Sequence, residues 1–342
     1  MKSFIAKILN PETLKKVVMP SVLVLLVIFF STQSKSFFTL TNFRNILSQC
    51  SYTVILGIGI TFVMVSGSID LSVGYVMSLV GVVIGQLVIN YQLNEVTAVL
   101  IGLALGMFLG FINGVLVVKL NVFPLIVTLA TSTVFQGISY IISKSVTIFG
   151  FSKNFLFIGQ GMIGGIPFSV LLATLLVILS TFIMKRTYFG RFIYAIGANE
   201  EAAHLAGLNV QRYRILLFTI CGFFVALGTV VLISRSGTSA SSIGPGSEFT
   251  CLTGGIIGGI SFRGGEGSPL GMVLGILLLT VLSNGMQMMK LGTYPQYIAE
   301  GIVLIIAVGL DSYQKNRRKK VVFSDIEKPT AQGKQTHAEA TG

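Results

Sequence analysis

The sequence has no tryptophan, few charged residues and few acids. Only 11% of its 342 residues are charged, and 24 lysines and arginines outnumber 12 acidic residues. Hydrophobic residues make up 53% of the chain, which is more than a soluble domain carries. This composition excludes a water-soluble enzyme or binding domain and indicates a protein embedded in a membrane.

Cysteine is scarce as well, and its three copies are isolated. Cys50, Cys221 and Cys251 are odd in number and lie mostly within apolar runs, so they predict neither a disulfide framework nor a metal site. The formal net charge of +12 could indicate nucleic acid, but the basic residues lie at the ends of apolar runs, a pattern that orients membrane proteins. We therefore expect no metal, no cofactor and no nucleic-acid partner.

Long apolar runs, separated by Gly, Pro and charged clusters, predict an all-α polytopic membrane protein, because about 20 apolar residues suffice for a helix to cross a bilayer. Ten candidate spans can be drawn, namely 20–38, 52–66, 71–90, 96–118, 123–143, 166–184, 213–233, 249–261, 269–289 and 295–312. The second and eighth are short, so we expect tilted, broken or re-entrant segments there. A cytoplasmic segment (1–19) precedes the transmembrane domain (20–312), and a basic, disordered cytoplasmic tail (313–342) follows it.

The basic residues predict the orientation of these spans. With the N-terminus inside, sixteen cations before the tail fall on cytoplasmic segments and six on outer segments. Cytoplasmic loops are enriched in Lys and Arg, so both termini are expected in the cytoplasm.

One motif occurs twice. "NGVLVVKLNVFP" (Asn113–Pro124) closes the fourth span, and "NGMQMMKLGTYP" (Asn284–Pro295) closes the ninth. Because five spans separate the copies, their directions across the membrane are opposite. The motif therefore predicts an inverted repeat of spans 2–5 and 7–10, a plan typical of transporters; chance similarity in Gly-rich apolar sequence is the alternative.

The long loop 185–214 is expected to lie in the cytoplasm and to contain a short helix. Asn199 is a suitable N-cap, Glu200 and Glu201 favour the first turn, and Gly207 can end the helix. So short a helix is marginal in water and needs a surface to pack on. That surface is either the chain itself or a partner, and the spacing alone leaves both open.

Several motifs together resemble the permease subunits of ribose-type ABC importers, which carry monosaccharides or the autoinducer-2 signal. The resemblance extends from about Asn42 to Asp311. It rests on "SGSIDLSVG" (66–74), "FPLIVTLATSTVFQGISYI" (123–141), "TYFGRFIYAIGANEEAAHLAGLNV" (187–210), "GGIIGGISFRGGEGSPLG" (254–271) and "SNGMQMM" (283–289).

The resemblance implies a permease in the bacterial inner membrane, without an ATPase activity of its own. Its partners would be an ATPase subunit with tandem nucleotide-binding domains, a periplasmic sugar-binding protein and a second permease chain, identical or related. The loop after the sixth span would dock into the ATPase. The implied ATPase-coupling residues are Phe189, Gly190, Arg191, Tyr194, Gly197, Asn199, Glu200, Ala202, Ala203 and Gly207.

Asp70 is the only acid between Glu12 and Glu95. A carboxylate near hydrocarbon is costly and should be capped, paired or hydrated. Three interpretations stay open: an N-cap of the third span assisted by Ser72, part of an inner gate or ATPase contact, and a proton relay.

The Gly-rich stretch near residue 254 lacks the spacing of a phosphate-binding loop. Instead, Gly254 with Gly258, and Gly255 with Gly259, form two G-x-x-x-G faces that allow close helix packing.

A translocation path for a neutral polyol needs hydrogen-bonding side chains. The candidates are Asn113, Thr128, Ser132, Gln136 and Asn284, although each could instead join two helices by a hydrogen bond. The alternative function is an ion-coupled secondary transporter of a small neutral solute, but the sequence shows no cluster of intramembrane acids. An intramembrane enzyme lacks a supporting constellation.

Overall fold

The computed structural model describes residues 11–326, which form a bundle of thirteen α-helices. They are α1 (Pro11–Gln33), α2 (Leu40–Val65), α3 (Val73–Gly85), α4 (Glu95–Leu120), α5 (Pro124–Ser143), α6 (Lys153–Gln160), α7 (Phe168–Arg186), α8 (Tyr188–Ala198), α9 (Glu200–Leu205), α10 (Val210–Ser236), α11 (Ser247–Ile257), α12 (Pro269–Met288) and α13 (Thr293–Ile326). A π-helical turn, Gln86–Asn90, extends α3. The all-α polytopic class is confirmed.

Within residues 11–326, seven helices are long and apolar enough to cross a membrane. They are α2, α3 with its π-helical turn, α4, α5, α7, α10 and α12. Two of the other three predicted spans correspond to shorter apolar helical stretches, Met19–Gln33 and Thr293–Gly309. The third is α11, whose eleven residues extend only about 16 Å, as its short predicted length implied.

The second predicted span is not short, and that expectation is wrong. Helix α2 begins at Leu40, twelve residues before the predicted start, and has 26 residues. Its first turns contain polar side chains, which resemble a loop in sequence. Thr39 nevertheless caps the helix by accepting the Asn42 N–H at 3.2 Å, and Asn42 is itself buried.

Two further boundaries differ from expectation. The first predicted span extended to residue 38, but α1 ends at Gln33 and a turn follows, in which the Phe37 N–H donates to the Ser34 carbonyl at 3.0 Å. Helix α13 continues to Ile326, so residues 313–326 are helical where the sequence predicted disorder. Lys and Arg, which are abundant there, are good helix formers. The rest of the predicted tail, and residues 1–10, lie outside the described residues.

Helix α2 forms the centre of the bundle, and close glycine contacts join its neighbours. Four of its side chains, Ile55, Leu56, Ile58 and Ile60, are fully buried. Gly106 and Gly110 of α4 pack against the backbone of α10, where a β-carbon on Gly110 would lie 2.2 Å from the Phe218 carbonyl oxygen.

Of the two predicted glycine faces, one packs closely against another helix, which is α12. Gly254 packs against Gly275, and Gly258 against Gly271. Gly255 instead meets methionine side chains, and Gly259 adopts a left-handed turn conformation, with φ of +85°.

The two ends of the bundle carry different connections. The end with α8 and α9 is called here the α8 end. The opposite end, called the hairpin end, carries four two-residue strands: β1 (Ile148–Phe149), β2 (Met162–Ile163), β3 (Ile166–Pro167) and β4 (Thr238–Ser239). Strand β1 pairs antiparallel with β4, and β2 pairs antiparallel with β3.

Candidate functional site

Two short helices follow α7 at the α8 end, and the first was not predicted. Thr187 caps α8 by accepting the Gly190 N–H at 3.3 Å. Ile193 and Ile196, three residues apart, are buried, so α8 packs along one side. The signal for this helix was present as Thr187 before an amphipathic stretch, but the stretch is too short to stand out from the apolar sequence around it.

Helix α9 has the N-cap that the sequence predicted. The Asn199 side chain accepts the Ala202 N–H at 2.9 Å, and the helix ends just before Gly207, whose φ is +88°. Ala203 is buried in a small cluster with Ile196 and Val210. One face of α9 therefore packs on its own chain, whereas the other stays available to a partner.

The predicted coupling residues divide by their exposure. Arg191, Asn199, Glu200, Ala202 and Gly207 are exposed, Phe189, Tyr194 and Gly197 are half-buried, and Gly190 and Ala203 are buried. The Glu200 carboxylate pairs with Arg214 of α10 at 2.7 Å. Sequence reasoning missed Tyr188 and Leu205, which are 71% and 81% exposed. These side chains are exposed because the opposite face of each helix packs on the bundle. The spacing of residues in the sequence did not show which face would pack.

Helix α8 is attached to two turns of the bundle by contacts between glycine backbones. Gly67, Gly197, Gly264 and Gly265 form this contact, called here the glycine junction. A β-carbon on Gly197 would lie 1.9 Å from the Val65 carbonyl oxygen and 2.5 Å from the Gly265 nitrogen. One on Gly264 would lie 2.6 Å from Gly67. No other residue type allows the backbones to approach so closely.

Two hydrogen bonds hold the same junction. The Gly265 N–H donates to the Val65 carbonyl, the last of α2, at 2.8 Å. The Tyr194 hydroxyl donates to the Gly267 carbonyl at 2.7 Å. Burial raises the pKa of Tyr194, so the phenol remains protonated as the donor at neutral pH. Helix α8 is therefore attached both to the end of α2 and to the turn between α11 and α12.

Asp70 lies in the turn between α2 and α3 and is 3% exposed. Its Oδ1 accepts the Ser72 N–H at 2.9 Å and the Ser72 hydroxyl at 2.6 Å. Asn113 Nδ2 donates to that hydroxyl oxygen at 2.7 Å. Ser72 occupies the N-cap position of α3 without a side-chain cap bond. The structure therefore corrects the cap interpretation: the carboxylate holds the turn before α3 instead of capping the helix.

The candidate path residues on α5 reach two different parts of the chain. Thr128 Oγ1 accepts the Leu71 N–H at 3.1 Å, and Gln136 Nε2 donates to the Ser241 carbonyl at 3.0 Å. Ser132 donates within its own helix, to the Leu129 carbonyl at 2.6 Å. The contacts of Asn113, Thr128 and Gln136 join separate segments, which is the alternative the sequence left open. A lining role for these residues stays a prediction.

Asn284, the fifth candidate path residue, forms a buried amide pair with Asn42. Asn42 Nδ2 donates to Asn284 Oδ1 at 2.9 Å, and Asn284 Nδ2 donates to Asn42 Oδ1 at 3.1 Å. The pair joins the start of α2 to the end of α12. Asn113 and Asn284 thus occupy matching helices of the predicted repeat, but their partners differ.

Comparison with known families agrees with these features. Residues 42–308 match the family model described as "Branched-chain amino acid transport system / permease component". The chain belongs to this family of permease components.

Several curated proteins are similar to this permease over most of their length. The permease is 34% identical to the ribose import permease protein of Haemophilus influenzae over 296 residues, 85% of this chain and 91% of the relative. It is 34% identical to the D-allose transport system permease protein of Escherichia coli (84% and 88% covered) and 37% identical to the fructose import permease protein of Rhizobium meliloti (81% and 79% covered). The predicted resemblance to ribose-type import permeases is confirmed. No solved structure matches the chain significantly.

The amide pair of the permease gives a stability prediction. Asn42→Leu or Asn284→Leu should each lower the free energy of unfolding by about 1–3 kcal/mol, because the remaining amide stays buried without its partner in the pair. After Asn284→Leu, the Asn42 amide keeps its bond to the Phe37 carbonyl, at 2.9 Å. The double substitution should cost less than the sum of the two, because it removes both unpaired groups together. Thermal unfolding of the four proteins in one detergent measures this coupling; additive losses would show that the two amides do not interact.

Proposed function

We propose that this permease is the membrane subunit of an ATP-binding-cassette importer. It would move a monosaccharide, either a ribose-like pentose or a hexose, or a related small polyol inward by alternating access, driven by a separate ATPase subunit. The observation that carries the proposal is similarity over most of the chain to permeases named for ribose, allose and fructose. The attachment of α8 to the glycine junction supports it, because an external motor needs such a rigid point of contact.

The proposed orientation places the α8 end and both chain termini in the cytoplasm. Sixteen cations before the tail then lie on cytoplasmic segments and six on outer segments, as the positive-inside rule requires. In this arrangement α1, α11 and α13 complete ten membrane-inserted helices. Helix α11 would enter only part of the bilayer, its ends covered by α2 and α12.

The proposed repeat relates spans 2–5 to spans 7–10 with opposite orientation. Both motif copies span a helix end, a short turn and a new helix: α4 gives way to α5, and α12 to α13. Pro124 is the first residue of α5, where its missing N–H is tolerated. Two inverted halves of similar shape provide inward-open and outward-open states of similar energy.

Three partners follow from this assignment. An ATPase with tandem nucleotide-binding domains would contact the exposed faces of α8 and α9 through the predicted coupling residues. A periplasmic sugar-binding protein would deliver solute at the hairpin end. A second permease chain, identical or related, would complete the path.

The proposed path residues are Asn113, Thr128, Ser132, Gln136 and Asn284. Among residues 11–326, the buried side-chain oxygens Asn113 Oδ1 and Gln136 Oε1 accept no hydrogen bond. Each is therefore available to a hydroxyl group when the permease changes state. Weak, neutral acceptors of this type suit a polyol, because a strong site would retain it.

In this mechanism the glycine junction passes the movement of α8 to the rest of the bundle. When the ATPase moves α8, the backbone contacts of Gly197 carry the movement to Val65 and Gly265. The turn beyond Val65 contains Gly67 and Asp70, so the movement reaches the start of α3. Asp70 and Ser72 would thereby act as part of an inner gate.

The proposed coupling surface predicts that charge reversal at Arg191 weakens binding of the ATPase. Arg191 is exposed, and its guanidinium carbon lies 4.2 Å from the centre of the Tyr188 ring. We expect Arg191→Glu to lower the affinity of the permease for the ATPase about tenfold, because charged side chains at the rim of an interface determine its electrostatic complementarity. Lys153→Glu, an equal change at the hairpin end, is the control. Equal affinities of Arg191→Glu and the unmodified permease would contradict the assignment.

The function itself can be tested by reconstitution. The permease is placed in vesicles with the co-encoded ATPase and solute-binding protein, and pentoses, hexoses and small polyols are screened for stimulation of ATP hydrolysis. We expect one monosaccharide to stimulate hydrolysis and the others to do so less. Uptake driven by an ion gradient without the ATPase would instead identify a secondary transporter.

A further inference from the structure

Two segments of the chain enter the bundle from opposite ends without forming a helix. The first, residues 66–72, leads from the glycine junction to α3. The second, residues 237–246, leads from the hairpin end to α11. Ser239 lies beside Gly85 of α3, and Gly244 lies beside Gly74. These two glycines are about 16 Å apart along a helix, so residues 239–244 run along α3. A turn lies within them, in which the Ile243 N–H donates to the Ala240 carbonyl at 3.3 Å.

The second segment reaches α3 inside the bundle, near the start of that helix. A β-carbon on Gly244 would lie 1.8 Å from the Gly74 carbonyl oxygen, and one on Gly74 would lie 2.5 Å from the Gly244 carbonyl oxygen. Ser78 Oγ accepts the Gly244 N–H at 3.2 Å. The segment from the hairpin end therefore touches the helix that the segment from the α8 end leads into.

Helix α5 is hydrogen-bonded to both segments, at opposite parts of its length. Near its start, Thr128 accepts the N–H of Leu71. Further along, Gln136 donates to the Ser241 carbonyl. At its end, the Ser143 and Ser241 hydroxyls lie 2.7 Å apart, and the Ser241 hydroxyl donates to the Ser139 carbonyl at 3.0 Å. Thr128 and Ser143 are separated by about 22 Å of helix.

The remaining face of α5 makes no such bonds and is apolar. Ile126, Leu129, Val134 and Ile138 are exposed there. Thr133 lies on the same exposed face and donates only within its own helix, to the Leu129 carbonyl at 3.4 Å. The polar side chains of α5 are therefore concentrated on the side that faces the two segments.

We propose that α5 is the strut that makes the two segments move together, with Thr128 and Gln136 as its positioning residues. The proposal rests on the proposed function, since it explains how opening at the α8 end is matched by closing at the hairpin end. A helix keeps its length under small loads because its backbone bonds are internal. A shift of residues 66–72 is thus carried along α5 to residues 237–246.

Cysteine labelling can test this coupling. Phe262→Cys reports on the α8 end, in the turn that leads to Gly264 of the glycine junction, and Ser242→Cys reports on the segment 237–246; both native side chains are exposed. The three native cysteines are buried and remain as background. Each reporter is placed in the permease assembled with its ATPase and binding protein in nanodiscs, and its rate of reaction with a polar thiol reagent is measured before and after trapping the ATPase with vanadate.

In the otherwise unmodified permease, both reporters should change their reaction rate by about tenfold on trapping, as a shift between two populated states produces. In Gln136→Leu, and separately in Thr128→Val, the Phe262→Cys change should persist whereas the Ser242→Cys change disappears. Thr133→Val, on the exposed face of α5, should leave both changes intact.

The outcomes are distinguishable. If both reporters change in the unmodified permease and still change together in Gln136→Leu and Thr128→Val, α5 is not the strut and the inference is overturned. If neither reporter responds to the ATPase in the unmodified permease, the proposed function fails and the inference falls with it. Loss of only the Ser242→Cys response in either folded variant supports the inference.

Discussion

Gly197→Ala should nearly abolish solute uptake. The added methyl group would lie 1.9 Å from the Val65 carbonyl oxygen and 2.5 Å from the Gly265 nitrogen. Backbone atoms in a packed turn cannot give way as a flexible side chain does, so α8 must separate from the junction. Overpacking of this kind costs about 3 kcal/mol, which corresponds to a roughly 100-fold loss of uptake.

A matched substitution separates this effect from the general consequences of removing a helical glycine. Gly137 is also within a helix, and a β-carbon there would meet nothing within 4 Å. Gly137→Ala should therefore leave uptake unchanged. Uptake by ATPase-containing vesicles measures both variants, with purified yield as a control for folding. Normal uptake by Gly197→Ala would show that the junction does not transmit movement.

Asp70→Ala should have an effect of similar size. The carboxylate oxygen Oδ1 accepts two hydrogen bonds from Ser72, and Asn113 reaches the same hydroxyl. Removing the acceptor leaves buried donors without a partner. Each costs about 1–3 kcal/mol, so uptake should fall roughly 100-fold.

Asp70→Asn separates a hydrogen-bonding role of this residue from the roles that need its negative charge or its proton. The amide keeps an oxygen at the accepting position, so most uptake should remain if Asp70 acts by holding the turn. If Asp70 is a proton relay, or part of an inner gate that needs its negative charge, Asp70→Asn should reduce uptake as much as Asp70→Ala does. Initial rates of uptake in matched vesicles measure the difference; equal losses for Asn and Ala would contradict the hydrogen-bonding account.

The helices could be predicted where a local signal marks their start. Pro124 begins α5 as expected, and Asn199 caps α9, because both signals act on backbone groups within a few residues. The start of α2 was missed because its first turns contain several polar residues, one of which, Asn42, is buried by packing. At such places tertiary contacts decide whether a helix forms, and these contacts join residues that are far apart in the sequence.

The candidate site was predicted in its residue types but not in its contacts. The motif in the long loop pointed to Gly197, but nothing local shows that its partners are Val65 and Gly265, far along the chain in both directions. Similarly, the matching positions of Asn113 and Asn284 suggested equal roles, whereas one bonds Ser72 and the other Asn42. The contacts of a helical side chain depend on which helices pack beside it, and spacing alone does not determine that.

Accumulation of solute in sealed vesicles tests the central claim most directly. The claim is that this permease has no motor of its own and is moved through α8 and α9 by a separate ATPase. Vesicles containing the permease, the ATPase and the binding protein should concentrate the stimulating monosaccharide above its external level only when ATP reaches the ATPase. Concentration of the sugar by the permease alone, without nucleotide, would contradict the account.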